Sequence, residues 1–261
     1  MIINDISIIN ATVDHRFCRK SNKTYIEKLD VLEQAIDNSI YRIGVEILKR
    51  QPKIHLALSG GIDSSTMLLT MLQYDFPVTA HTIGGYVDHP DIYYSNILTH
   101  RLGVEHKTYI IDPMRTAQTI SKYQLLFDAV KDSTKTLVCG DCIDEQLGGY
   151  YPHQNPVNLP VYNPTKNIEE NRFLALWYFM DRLTEDHLVD QHRCSNESGI
   201  KIYLPYGHRK IFYASSLFTV NELLDDNYRK KPMRDIAAKK GVPIELIERR
   251  KLGLVQAMDK F

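Results

Sequence analysis

Hydrophobic residues recur in residues 27–50 about every 3.6 positions, the spacing of one helix face. The apolar positions are Leu29, Leu32, Ile36, Ile40, Ile43, Val45 and Leu48. This pattern predicts an amphipathic helix. Residues 1–26, which precede it, are predicted to form an extended arm or a short hairpin.

In the middle of the chain, short apolar runs alternate with segments of helical spacing. The predicted strands cover residues 54–58, 78–83, 104–111 and 136–139, and the predicted helices cover residues 65–72, 90–102 and 114–131. Pro77 ends the first helix, and Pro90 and Gly103 lie where the second begins and ends. This alternation predicts an α/β fold with a doubly wound parallel sheet. Ligands of such sheets bind beyond the carboxyl ends of the strands, where Ser59 and Gly140 begin loops.

The second half of the chain has a different pattern. Four prolines within residues 151–166 disfavour regular helix and predict an ordered or mobile loop beside the ligand site. From residue 167 onward the spacing is mostly helical. We therefore predict one domain over residues 27–261, with an α/β core at about 50–150 and a helical portion at about 167–261.

Charge and composition narrow the class of protein. The 261 residues contain 32 Lys and Arg and 32 Asp and Glu, so no overall basic field favours nucleic acid or a membrane surface as a partner. The first ten residues have no basic residue, and no apolar run approaches the roughly 20 residues that span a bilayer. Four cysteines do not suggest a disulfide framework. We expect a cytoplasmic protein.

The most distinctive chemistry lies between the first predicted strand of the core and its helix, in HLALSGGIDSST at residues 55–66. A strand–glycine–helix turn directs backbone N–H groups and a helix N-terminus at one point, which favours phosphate oxygens. Gly60 and Gly61 allow close approach of the backbone. The hydroxyl donors are Ser59, Ser64 and Ser65. Asp63 would repel phosphates unless a divalent cation lay between them, so the loop implies Mg²⁺.

Other interpretations of this loop fit less well. A Walker loop needs a lysine that does not follow Gly61, and a tight serine-capped turn explains Gly60 and Ser64 only. The order SGG-x-DS after a strand resembles the pyrophosphate loop of the PP-loop ATP pyrophosphatase superfamily, which has an adenine nucleotide alpha hydrolase-like fold. That resemblance implies ATP, cleaved between its α and β phosphates. The nucleotide-binding residues that it implies are Leu58, Ser59, Gly60, Gly61, Asp63, Ser64, Ser65, Ile83 and Gly140.

The segment CGDCIDEQLGGYY, residues 139–151, resembles the G-E-G-x-DE-x-x-GGY segment of asparagine synthetases. The matching residues are Gly140, Asp144, Glu145, Gly148, Gly149 and Tyr150. A carboxylate at the end of a neighbouring strand can complete a metal site with Asp63, and Asp144 is the candidate. Asp141 stands where the family has its catalytic glutamate and reaches about 1.5 Å less, one C–C bond. We predict that Asp141 orients or deprotonates an incoming amine.

Cys139 and Cys142 form a C-x-x-C pair within this segment. Three interpretations stay open at this point. The pair can fill buried space, can provide a reactive thiol at Cys142, as in some tRNA thiolases, or can bind a metal.

Two C-terminal stretches extend the resemblance. Residues 202–217 resemble the family's R-x-P-F-L-D segment, although Tyr203 and His208 replace its arginine and aspartate. Residues 228–254 resemble its basic ending. The matching residues there are Lys230, Arg234, Arg249 and Lys251. Lys230 is predicted to neutralise charge on the phosphates and the acyl-adenylate, with Lys231 as the alternative; a solvated helix face is the other interpretation.

The resemblance covers residues 27–254 and implies an ATP-dependent, AMP-forming amide ligase of the asparagine synthetase type. Ile2 follows Met1, so we expect no glutaminase domain here; the nitrogen would come from free ammonia, a separate glutaminase or another amine. The alternatives are a PP-loop tRNA or nucleotide thiolase and a non-catalytic ATP-binding protein.

Overall fold

The computed structural model describes residues 21–111 and 121–249 of the chain. Its strands are β1 Ile54–Ala57, β2 Val78–Gly84, β3 Glu105–Ile110, β4 Thr136–Val138 and β5 Lys201–Tyr203. They form one sheet in the order β3-β2-β1-β4-β5, and every neighbouring pair is parallel. The predicted α/β fold with a doubly wound parallel sheet is therefore confirmed.

Helices connect and cover these strands. They are α1 Tyr25–Leu48, α2 Ile62–Gln73, α3 Pro90–Leu102, α4 Lys122–Val130, α5 Ile143–Leu147, α6 Tyr151–Gln154, α7 Ile168–Arg182, α8 Leu188–Ser198, α9 Arg209–Ser215, α10 Val220–Leu223, α11 Lys231–Lys239 and α12 Ile244–Ile247. A π-helical turn, Leu183–His187, joins α7 to α8. None of the helices in the described ranges has the length and apolar character that crossing a membrane requires.

Helix α1 begins two residues before the predicted start because of a capping box. The Thr24 hydroxyl accepts the N–H of Glu27 at 3.3 Å, and the Glu27 carboxylate accepts the N–H of Thr24 at 2.7 Å. These bonds satisfy N–H groups that have no partner within the helix. The buried face of α1 has the predicted apolar spacing and packs on α9 and α2.

Two elements differ from the expectations for the second half of the chain. Strand β5 interrupts the stretch predicted to be helical, and its Tyr203 pairs with Val138 of β4. Helix α6 lies in the proline-rich segment, where regular helix was not expected. Pro152 is tolerated because it lies in the first turn of α6, where a backbone N–H has no partner within the helix.

The strand order brings the two distinctive loops together. Strand β1 pairs with β2 on one side and with β4 on the other, so the direction in which successive strands are added to the sheet reverses between β1 and β4. Ligands bind at such a switch point, beyond the carboxyl ends of the strands. The loop after β1 begins at Ser59 and the loop after β4 contains Gly140, as the sequence pattern required. Residues 1–20 of the predicted arm, residues 114–120 of a predicted helix, and Lys251 lie outside the described residues.

Candidate functional site

A cavity of about 620 Å³ opens at this switch point. Its lining includes ten of the residues predicted from the sequence: Leu58, Ser59, Gly61, Asp63, Ser64, Ile83, Gly140, Asp141, Asp144 and Lys230. Gly60 and Ser65 are not part of the lining. Gly60 lies against α3, and Ser65 is buried within α2. One cavity therefore contains the predicted phosphate, metal and catalytic residues.

The loop before α2 is held as a compact turn by its own serines. The Ser64 hydroxyl accepts the N–H of Ser59 at 3.2 Å, and the Ser59 hydroxyl accepts the N–H of Gly61 at 3.3 Å. Gly61 is the N-cap of α2 and provides no side-chain cap. The N-terminus of α2 therefore faces the cavity with its backbone N–H groups and its partial positive charge, the arrangement that binds phosphate oxygens.

Gly60 is required by the backbone geometry of this turn. Its φ is +66°, a left-handed conformation that side chains disfavour. A Cβ atom at this position would lie 2.7 Å from the backbone nitrogen of Ser95 in α3. The glycine thus lets the loop pack directly on α3.

Asp63, Asp144 and Lys230 meet at one point of the cavity. The Lys230 Nζ lies 2.6 Å from each carboxylate oxygen of Asp63 and 2.7 Å from Oδ1 of Asp144. Asp63 comes from the first turn of α2 and Asp144 from the first turn of α5, so the loops after β1 and β4 each contribute one acid. Lys231 points elsewhere and pairs with Asp225 at 3.1 Å. The structure thus places Lys230, and not Lys231, in the cavity.

The donors of this cluster fit a magnesium ion. Asp63 and Asp144 present hard carboxylate oxygens to a common point, and Mg²⁺ is usually held by one or two carboxylates together with substrate phosphates. Among the described residues, no group of three or more His, Cys, Asp or Glu side chains could hold a metal on its own. Asp63 and Asp144 are the two carboxylates here that such an ion could use together with phosphates.

Gly149 makes room for the carboxylate of Asp144. A Cβ atom on Gly149 would lie 1.8 Å from Oδ1 of Asp144, and the Gly149 N–H donates to the Asp144 carbonyl at 2.7 Å. The second glycine of the GGY segment therefore has a steric role next to the predicted metal ligand.

Asp141 lies in the same cavity with both carboxylate oxygens engaged. The Tyr123 hydroxyl donates to Oδ1 at 3.0 Å, and the Gln191 side-chain amide donates to Oδ2 at 2.8 Å. Burial and the charge of Asp141 raise the pKa of Tyr123, which keeps its hydroxyl protonated as a donor. Asp141 is thus held in a fixed orientation at the cavity wall.

Glu145, in α5 and four residues after Asp141, is held in a similar way. The Tyr150 hydroxyl donates to Oε1 at 2.6 Å, and Nδ1 of His187 lies 3.2 Å from the same oxygen. Burial and Glu145 raise the pKa of Tyr150. His187 ends the π-helical turn and Gln191 lies in α8, four residues later. Two consecutive helical turns therefore contact Glu145 and Asp141.

The apolar end of the cavity contains Leu58, at the end of β1, and Ile83, in β2. Ile83 packs with Ile111 and Leu125 in a small apolar cluster. These two residues are buried, which suits the flat apolar face of a base.

Cys142 is buried, with 1% of its surface exposed, and burial raises the pKa of its thiol. Cys139 is buried with the same consequence for the pKa of its thiol. Since the thiolate is the reactive form, neither group is activated. Cys142 also has a φ of +80°, a left-handed conformation that favours glycine. This is a physical reason for the glycine that the asparagine synthetase segment G-E-G-x-DE-x-x-GGY has at this position.

The basic C-terminal residues are engaged with backbone rather than solvent. Nη1 of Arg249 donates to the Ser59 carbonyl at 2.8 Å, and its guanidinium lies 4.7 Å from the centre of the Tyr94 ring. Nη1 of Arg234 donates to the Ile247 carbonyl at 2.7 Å. A solvated helix face does not describe these residues.

Four contacts at the site were not predicted from the sequence. They involve Tyr123, His187 and Gln191, together with Tyr206, whose hydroxyl donates to the Asp63 carbonyl at 2.8 Å. The four-residue spacing of His187 and Gln191 was the available signal for that pair. Tyr123 lies far from the motifs in sequence, and Tyr206 lies within residues 202–217 but was not predicted as a site residue; both join the site through the fold.

Comparison with known proteins finds one family model that matches part of this chain. The asparagine synthase family model matches residues 47–174, the part of the chain that contains β1 to β4 and both site loops. A search of curated proteins gave no significant match. Among solved structures, the chain is similar to NMN synthetase from Francisella tularensis, with 16% identity and a TM-score of 0.32, covering 74% of this chain and 94% of that one.

Proposed function

We propose that this chain, whose residues 47–174 match the asparagine synthase family, is an ATP-dependent ligase that releases AMP and pyrophosphate and joins a carboxylate to an amine. The observation that carries the proposal is the meeting of Asp63, Asp144 and Lys230 beside the glycine loop. Positive charge is needed there because pyrophosphate is the leaving group of adenylation.

In the first step, the substrate carboxylate attacks the α-phosphate of ATP, and the bond between the α and β phosphates breaks. The loop between β1 and α2 binds the pyrophosphate through backbone N–H groups and the hydroxyls of Ser59 and Ser64, which line the cavity. Asp63 and Asp144 would hold Mg²⁺, which supplies positive charge to the departing pyrophosphate. Lys230 donates to the same phosphates, and Leu58 and Ile83 contact the adenine.

In the second step, the amine attacks the acyl carbon, the amide forms and AMP leaves. Asp141 orients the amine and accepts one of its protons. The hydrogen bonds from Tyr123 and Gln191 support this role because they fix the direction of a side chain shorter than glutamate.

The nitrogen donor in this proposal is ammonia or another amine, and a separate glutaminase is a candidate source of ammonia. Aspartate is the default acyl substrate. The balanced charge of the chain supports a small-molecule substrate rather than nucleic acid or a membrane surface, and we propose a cytoplasmic location.

Two observations favour this function over its alternatives. A thiolase would need Cys142 as a thiolate, and burial opposes that ionisation. The alternative of a non-catalytic protein rests on the departures from the family pattern at Asp141, Tyr203 and His208. Asp141 lies in the cavity lining, where Tyr123 and Gln191 orient it. Tyr203 is buried in the core, and His208 caps α9 by accepting the N–H of Lys210 at 3.3 Å, so neither residue is part of the cavity lining.

Mass spectrometry of products identifies the reaction. The protein is incubated with ATP, MgCl₂, ammonium chloride and a pool of small carboxylic acids and amines. We expect AMP, pyrophosphate and one new amide. ATP binding without turnover would support the non-catalytic alternative, and tRNA-dependent ATP use that is lost in Cys142→Ser would support the thiolase.

A further inference from the structure

The ammonium group of Lys230 lies where a cation shared by Asp63 and Asp144 would bind. Three carboxylate oxygens of these two residues lie within 2.7 Å of its Nζ. Only 5% of the Lys230 side chain is exposed, against 14% for Asp63 and 15% for Asp144. Lysine and a divalent cation therefore compete for the same carboxylate oxygens.

Backbone geometry directs Lys230 into this position. Its φ is +55°, an uncommon left-handed conformation for a residue with a side chain, and it is the N-cap of α11. The Lys230 carbonyl accepts the N–H of Arg234 at 3.0 Å, which ties this turn to the helix. Strained residues of this kind occur where surrounding structure fixes them, often at functional sites.

Neighbouring cationic groups are committed to other partners. Arg249 donates to the Ser59 carbonyl, Arg234 to the Ile247 carbonyl and Arg229 to the Gly149 carbonyl. Displacing Lys230 without a replacement partner would leave a buried ammonium unpaired, which is strongly unfavourable. The phosphates of a nucleotide can provide that partner.

We propose that Lys230 holds the place of the divalent cation in the nucleotide-free protein. When nucleotide binds, its phosphates take the ammonium group and the cation takes the two carboxylates. Cation and nucleotide therefore bind with positive coupling, and by linkage each raises the affinity for the other. The identity of the nucleotide rests on the proposed function, whereas the competition between Lys230 and the cation does not.

Manganese binding to the nucleotide-free protein tests this competition. Mn²⁺ is titrated into wild type and Lys230→Met, and free Mn²⁺ is measured by electron paramagnetic resonance. We expect Lys230→Met to bind Mn²⁺ at least about tenfold more tightly than wild type, because the ammonium group no longer competes for the carboxylates. Lys231→Met is the matched control and should behave as wild type, since Lys231 contacts Asp225. The double variant Asp63→Asn, Lys230→Met should lose this increase in Mn²⁺ affinity, which would show that the ion binds at Asp63.

A second measurement uses wild type alone and covers the case in which Lys230→Met does not fold. Millimolar MnCl₂ without nucleotide should leave the Tm of wild type unchanged, whereas MnCl₂ with a non-hydrolysable ATP analogue should raise it above the value with the analogue alone. Wild type that binds Mn²⁺ without nucleotide as tightly as the variant would overturn the proposal, as would a rise in its Tm with MnCl₂ alone. Neither measurement requires catalysis, so a failure of the proposed reaction would leave these results interpretable.

Discussion

Asp63 lies in the first turn of α2 and contacts Lys230. Asp63→Asn should lower pyrophosphate release by about 100-fold or more, because it removes one of the two charged ligands available to the cation. The variant should still fold, since Asp144 continues to pair with Lys230. Pyrophosphate release and thermal unfolding are measured together. Wild-type release by a folded Asp63→Asn protein would remove Asp63 from the metal site.

Alanine substitutions at two glycines test whether the loop between β1 and α2 has to pack closely on α3. Gly60 and Gly103 have the same φ of +66°, but a Cβ at Gly60 meets Ser95 whereas one at Gly103 meets nothing within 4 Å. Gly60→Ala should cost about 2–4 kcal/mol of unfolding free energy, and Gly103→Ala about 1 kcal/mol. Urea unfolding measures both values. An equal loss of unfolding free energy in both variants would mean that α3 leaves room for a side chain at Gly60.

At the residue scale, the sequence predicted the cavity residues that lie within a motif. Asp63, Asp144 and Lys230 belong to three separate stretches. Asp63 and Asp144 meet because the parallel strands β1 and β4 end at one edge of the sheet, whereas Lys230 reaches them from the N-cap of α11. The roles predicted for them remain predictions. Tyr123 and Gln191 could not be predicted, because their contacts with Asp141 depend on how α4 and α8 pack, which no local pattern specifies.

At the scale of elements, the π-helical turn sets the register of α8. A π turn adds a residue to a helix and rotates the next helical turns about the axis, and it often occurs at functional sites. Here it precedes the helix whose Gln191 contacts Asp141, while His187 at its end contacts Glu145. The turn therefore joins the helical half of the chain to Asp141 and Glu145.

Replacing Gln191 tests this connection. Gln191→Leu should lower amide formation by about tenfold or more while ATP–pyrophosphate exchange stays near wild type, because Asp141 serves the amine step and not adenylation. Gln124→Leu is the matched control, since Gln124 donates to Asp128 and Ser198 outside the cavity lining. Equal losses in both half-reactions would indicate a general structural role for Gln191.

Element boundaries were predictable where capping signals are local. Pro90 and Gly103 bound α3 as predicted, and Thr24 with Glu27 would have placed the start of α1 correctly. Strand β5 was missed although β4 is equally short, because residues 201–203 lie in a stretch whose spacing is otherwise mostly helical. Its position is determined by pairing with β4 rather than by its own sequence.

At the scale of the whole molecule, buried neutral histidines make stability depend on pH. Burial lowers the pKa of His81 to about 4 and that of His153 to about 3, from 6.5 for an exposed histidine. The unfolded chain therefore takes up protons before the folded one as pH falls below 6.5, which favours unfolding. Each histidine should reduce the unfolding free energy by roughly 1–2 kcal/mol between pH 7 and pH 5.

Urea unfolding at several pH values checks this dependence. His81→Gln and His153→Gln should each give a shallower fall in stability between pH 7 and pH 5, whatever their stability at pH 7. An unchanged slope in both variants would show that these histidines do not cause the loss of stability in acid.

The alternating pattern was enough to predict a parallel sheet, but it could not give the order of the strands. That order places β1 beside β4, and with it the loop of Asp63 beside the loop of Asp144. The proposed activity depends on these two loops being adjacent more than on any single helix.

The proposed function requires this cavity to split ATP between its α and β phosphates. The most direct measurement is ³¹P nuclear magnetic resonance of the nucleotide products formed with MgCl₂ and the carboxylate and amine pool, with Asp63→Asn as the control. We expect AMP and pyrophosphate in equal amounts from wild type and at least about 100-fold less of both from the variant. ADP with orthophosphate, or AMP formation by Asp63→Asn at the wild-type rate, would contradict this expectation.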